Sequence, residues 1–129
     1  MNMSEELLLE MYKKMMQIRT FESTIKDLFA KGEITGDLHL SIGQEAVPVG
    51  TCMNLRKDDY VFSNHRGHGH CIAKGADLKK MMAEFFGKKT GLCKGNGGSM
   101  HLADVSVGML GATGIVGAGL PLAVGAGLS

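Results

Sequence analysis

The sequence predicts a mostly helical chain with glycine-rich loops and at most short strands, and three observations carry that expectation. Apolar residues recur at helical spacing from Leu7 to Phe29 and again after Asp77. Glycine takes 19 of 129 positions and is dense between Gly95 and Ser129, where a backbone without side chains can turn or approach a neighbour closely. Only Tyr60, Val61 and Phe62 form a compact strand-prone run.

Composition narrows the functions to consider. Fourteen Lys+Arg against 13 Asp+Glu leave no basic excess for nucleic acid or an anionic membrane, so partners are sought through site chemistry. Cys52, Cys71 and Cys93 are an odd set without CxxC spacing, which suits buried thiols in a reducing cytosol better than a disulfide framework. The opening MNMSEELLLEMYKK has acids where a secretory signal needs bases, and no export is expected. Ten methionines add adaptable packing.

In chain order, Ser4 is a helix cap with Glu5 and Glu6 at the positive end of the dipole. Leu7, Leu8, Met11, Met15, Ile18, Ile25, Leu28 and Phe29 make the buried face, and Lys31 and Gly32 close the helix. Gly32, Gly36 and Gly43 punctuate a loop holding His39, which taken alone reads as a hydrogen-bonded structural histidine. Gln44 to Leu55 is a second helix with Pro48 in its first turns. Asp58 and Asp59 turn the chain into the Tyr60–Phe62 strand. Asp77 caps a helix that ends at Gly87, and GKKTGLCKGNGGS is an exposed loop.

Two stretches are dense in chemistry. In SNHRGHGHCIAKG, His65, Arg66, His68 and His70 surround Gly67 and Gly69 on a backbone that can bend sharply. Metal ligands normally converge from two separated segments, and no clear second half exists, so no zinc site is assigned. A guanidinium beside glycines suits a phosphate, with pairing to a surface carboxylate as the plainer reading. The second stretch, Val105 to Leu128, carries no charge and has the length of a membrane span. Pro121, the glycines and the missing interfacial aromatics favour instead a turn near Gly114 and a buried helix from about Gly117. That helix meets Ser129 without a cap, so the chain is expected to stop short of a natural terminus. Neither a Walker A loop nor a GxGxxG fingerprint is present.

Four ordered blocks, HLSIGQEAVPVG, SNHRGHGH, GNGGSMHLAD and GIVGAGLPLAVGAGLS, resemble the N-terminal part of the alpha subunit of thiamine-diphosphate-dependent 2-oxo acid and acetoin dehydrogenases. The resemblance implies an α/β thiamine-diphosphate-binding fold in the complete subunit. Residues 1–129 would then be the N-terminal part of one such domain, with a helical segment 1–57 and a cofactor-contacting segment 58–129. It further implies an alpha2beta2 assembly with an E1 beta subunit, thiamine diphosphate with Mg2+ between subunits, a small-molecule substrate and a lipoyl-bearing E2 component, while the cysteine pattern points to a cytoplasmic location.

Carried over by position, Arg66 would bind the diphosphate, with His65 beside it where many pyruvate enzymes have tyrosine. Gly114 and Val116 would offer main-chain groups to the aminopyrimidine ring, and His39 becomes the catalytic, substrate-side histidine. The family's magnesium motif, a GDG with a later asparagine pair, is not in this sequence and is expected beyond Ser129, together with the first long strands of the sheet. HRGHGH and the spacing from His101 to Gly114 resemble acetoin enzymes more than pyruvate enzymes, implying cleavage of acetoin and transfer of a two-carbon unit to a lipoyl acceptor. The stretch given is expected to be inactive alone, because Arg66 and a few amides would face a diphosphate without the metal ligands. The alternative from another class is a non-catalytic helical interaction module, separated from the enzyme by whether the reading frame continues into the metal motif.

Overall fold

The computed structural model describes residues 3–129; Met1 and Asn2, which begin the stretch read against a secretory signal, lie outside the described residues. Helix α1 spans Glu5–Ala30. Ser4 caps it, its hydroxyl accepting from the Leu7 amide at 3.2 Å, and Gly32 leaves it in the left-handed conformation at φ +75°. Its buried residues are Ile18, Phe21, Glu22 and Ile25. Leu8 and Phe29, assigned by spacing to the inner face, are exposed. Burial thus begins only where α1 meets the second and third helices.

Helix α2, Ala46–Cys52, is shorter at both ends than the expected Gln44–Leu55. Pro48 sits in its first turn, where no intrahelical donor is required. Strands β1, Val61–Asn64, and β2, Met109–Thr113, pair in parallel with Ser63 opposite Ala112 and Asn64 opposite Thr113. The sequence pattern marked only the first. Between them the chain crosses over through α3, His68–Lys74, and α4, Leu78–Phe85, the connection that a parallel pair demands.

The α3 assignment corrects the reading of HRGHGH as sharply bending backbone, since the segment from His68 onward is helical. Gly69 is there for contact and not for turning: a Cβ at this position would lie 2.7 Å from Pro48 Cγ on α2. Asp77 caps α4 as expected, accepting from the Lys79 and Lys80 amides at 2.7 and 3.1 Å.

The core joins α1, α2, α3, α4 and β2 through Ile18, Ile25, Val49, Ile72, Met81 and Met109. Phe21 and Phe85 meet edge-on with ring centres 5.9 Å apart. Cys52 and Cys71 are buried, Cys93 half-buried, and all three are free thiols.

A turn with Gly117 at φ +87° leads into α5, Gly119–Leu128. This helix was expected to be buried, yet no residue of it is; Leu120 is 75% and Leu128 83% exposed. It packs chiefly on β1, and no further layer covers it among the described residues. None of the helices among the described residues is long and apolar enough to cross a membrane.

Candidate functional site

The paired strands end together at Asn64 and Thr113, so His65–Arg66 and Gly114–Val116 leave from the same edge. Ligands of parallel sheets sit beyond this carboxyl end. The HLSIG segment crosses to meet them. Arg66 Nη1 donates to the Leu40 carbonyl, Ser41 Oγ donates to the Arg66 carbonyl at 3.2 Å, and the Arg66 amide donates to Asn64 Oδ1 at 2.9 Å. His39 and His65 stand edge-to-face, ring centres 5.0 Å apart. Both Nδ1 atoms are buried without a hydrogen-bond partner among the described residues, a cost of about 1–3 kcal/mol each unless something else satisfies them. No carboxylate pairs with Arg66 among the described residues.

Behind this edge lies a buried polar pair of which the sequence pattern singled out His68 but not its partner Glu22. Glu22 of α1 and His68 of α3 are both fully buried, with Glu22 Oε1 at 2.5 Å from His68 Nδ1. The other carboxylate oxygen accepts from the Ser41 amide at 2.6 Å. His68 Nε2 lies 2.9 Å from Ser99 Oγ, and the same hydroxyl accepts from the His39 amide at 3.4 Å. Four separate segments are thereby tied beneath His39 and Arg66. A glutamate inside an amphipathic helix reads as a surface residue, and only its place on the same stripe as Ile18 and Ile25 could have signalled otherwise.

Arg19 and Glu45 form a second fastening. Arg19 donates through Nε and Nη2 at 2.5 and 3.0 Å, and this guanidinium holds the Glu45 carboxyl down to about 2. Glu45 also accepts from the Gly43 amide at 3.0 Å, setting the turn before α2.

The remaining candidates are distributed around the edge. The Gly114 amide points to His101 Nε2 at 3.4 Å, and Val116 is 81% exposed on the turn before α5. His70 turns its Nδ1 to Ser63 Oγ at 3.0 Å, and burial lowers its pKa. The histidines thus part company, and among the described residues no group of three or more His, Cys, Asp or Glu side chains is placed to hold a metal ion. A cleft of about 440 Å³ runs from Asn64 and His70 past Thr113 and Ile115 to α5; a smaller cavity of about 70 Å³ reaches Ser41 and Arg66. The larger groove, about 800 Å³, follows α1 toward α4 and contains none of these residues, so its size does not make it the site.

The family model described as the dehydrogenase E1 component matches residues 13–129. The chain is a member of the dehydrogenase E1 component family. Among E1 relatives it is 58% identical over 129 residues to the alpha subunit of acetoin:2,6-dichlorophenolindophenol oxidoreductase of Bacillus subtilis, covering 100% of this chain and 39% of that protein. The subunit of the same name from Cupriavidus necator is 53% identical over 127 residues, 98% of this chain and 38% of the relative. The chloroplastic pyruvate dehydrogenase E1 component subunit alpha-3 of Arabidopsis thaliana is 42% identical over 121 residues, 94% of this chain and 28% of the relative. The chain therefore spans 39% or less of the length of these E1 relatives.

Proposed function

We propose that this chain carries the alpha-subunit half of a thiamine-diphosphate site in an E1 dehydrogenase that cleaves acetoin and passes a two-carbon unit to a lipoyl acceptor, working with a beta subunit and an E2 component. The observation that carries this reading is the cluster of His39, His65 and Arg66 at the carboxyl edge of the parallel strands, with two buried imidazole nitrogens left unpartnered. Such a group fits an anionic, nitrogen-rich cofactor with a substrate beside it. When bound, thiamine diphosphate supplies a carbon nucleophile that adds to a carbonyl and permits the neighbouring carbon bond to break.

The chain's own residues have distinct tasks in this scheme. Arg66, with one N–H committed to the Leu40 carbonyl and no carboxylate partner among the described residues, presents its other donors to the diphosphate. His65 adds its free Nδ1 next to that group. Gly114 has its amide directed at His101, which leaves its carbonyl for the aminopyrimidine ring, and Val116 offers main-chain groups from the exposed turn. His39 holds or delivers a proton at the substrate oxygen. Among the described residues no group of three or more His, Cys, Asp or Glu side chains gathers around this edge to hold Mg2+.

Acetoin is preferred over pyruvate because the relatives named for acetoin are 58% and 53% identical, against 42% for the plant pyruvate dehydrogenase subunit. Steady-state rates of the full-length subunit with its beta partner and an artificial electron acceptor decide between them. Acetoin should give the higher kcat/KM. A clear preference for pyruvate would replace the substrate assignment, and activity without added thiamine diphosphate after exhaustive removal would sink the cofactor reading.

A further inference from the structure

GKKTGLCKGNGGS reads as an exposed loop, yet one buried side chain organises it. Glu84 of α4 is 1% exposed and accepts four main-chain N–H bonds. Its Oε2 receives Cys93 at 2.8 Å and Gly95 at 2.9 Å; its Oε1 receives Gly97 at 2.7 Å and Gly98 at 3.2 Å. No lysine or arginine pairs with it among the described residues. Burial works against its charge, and the amides outweigh burial, holding the carboxyl below its ordinary range.

The loop is shaped to close on these two oxygens. Lys94, between the amides that share Oε2, adopts φ +58°, a conformation that side chains disfavour. Gly95 lies against the α4 terminus so closely that a Cβ would stand 2.5 Å from the Gly87 carbonyl carbon. Backbone strain of this kind persists where the surroundings enforce it and is concentrated at functional sites.

Directly after this enforced segment the chain enters the edge of the proposed site. Ser99 accepts from the His39 amide and meets His68 Nε2; His101 Nε2 meets the Gly114 amide. We propose that Glu84 is a positioning residue of the cofactor site: by gathering residues 93–98 around its carboxylate it sets where Ser99 and His101 stand, and through them the backbone of His39 and Gly114. The inference rests on the roles proposed for His39 and Gly114.

The test uses the full-length subunit assembled with its beta subunit. Glu84→Gln keeps the side-chain size but turns N–H groups toward amides that need an acceptor. Its dissociation constant for thiamine diphosphate should rise roughly tenfold, as for other residues that orient a binding group from behind. Glu84→Asp, one methylene short of the loop, should recover only part of the loss. Ile25→Val, a core change on α1 that touches none of the Glu84 hydrogen bonds, serves as the stability control and should bind cofactor like the wild type at the same margin below its melting temperature. An unchanged dissociation constant in Glu84→Gln, or an equal loss in the control, overturns the inference. Should Glu84→Gln fail to assemble, hydrogen exchange on the unsubstituted protein decides. The Cys93, Gly95, Gly97 and Gly98 amides must exchange far more slowly than the neighbouring Lys89 and Thr90 amides, and free exchange at these four refutes the organising role. A wild-type complex that binds no thiamine diphosphate removes the proposed function itself; wild-type binding with Glu84→Gln unaffected removes this inference alone.

Discussion

Replacing Arg66 by lysine keeps the positive charge and removes the planar fork, and the structure shows why the difference should register. The guanidinium already spends one Nη1 donor on the Leu40 carbonyl, which fixes its direction while leaving its other N–H groups for a ligand. An ammonium group cannot reach that carbonyl and also make two aligned bonds to phosphate oxygens. At least one charge-assisted hydrogen bond should be lost, worth about 1.5–3 kcal/mol. That corresponds to a dissociation constant raised roughly ten- to hundredfold. Isothermal titration of the full-length subunit, assembled with its beta partner in excess Mg2+, measures it directly. Because Arg66 is only half-buried, the melting temperature without cofactor should stay near that of the wild type, so a weaker complex cannot be blamed on unfolding. Binding within a factor of about two of the wild type would refute the assignment of Arg66 to the diphosphate.

Two further expectations concern the fastenings around the site. The Glu45 carboxyl sits at about 2 in the folded chain, below an ordinary value of 4.5, so its contribution is fully present above pH 4.5 and disappears as pH falls toward 2. With Arg19 46% exposed, solvent screening limits that contribution to about 1 kcal/mol; urea unfolding of wild type and Glu45→Gln should differ by this near pH 6 and converge in acid, whereas a pH-independent gap would show that the pair is not the cause. Gly69→Ala forces a methyl group into the 2.7 Å approach to Pro48 and should destabilise the chain by about 1–3 kcal/mol; an unaltered thermal midpoint would mean that α2 and α3 are not in such close contact.

Much of the local structure was legible from residues. Ser4, Asp77 and Gly32 mark helix ends because capping depends on a side chain and a backbone angle within one turn. β2 was not legible, because MLGAT has little β-branching and becomes a strand only by pairing with β1. The burial of α5 was misjudged for a related reason: a wholly apolar helix states what it prefers to contact, and the contact itself belongs to surfaces that its own residues do not encode. HRGHGH was misread because glycine serves both sharp turns and close helix packing, and only the position of Pro48 separates the two uses at Gly69.

Helices α1 and α4 with their caps, the lack of a charge excess and, through four ordered motifs, the resemblance to the E1 family are written in neighbouring residues, and the sequence carries them without the fold. Tertiary structure alone decided that His39 meets His65, that Arg66 is turned by Leu40, and that Glu22 and Glu84 are buried acids and not surface ones. The physical reason is that a carboxylate looks the same in sequence whether water or main-chain amides solvate it. Which of the two occurs depends on groups 9 to 46 residues away being folded against it.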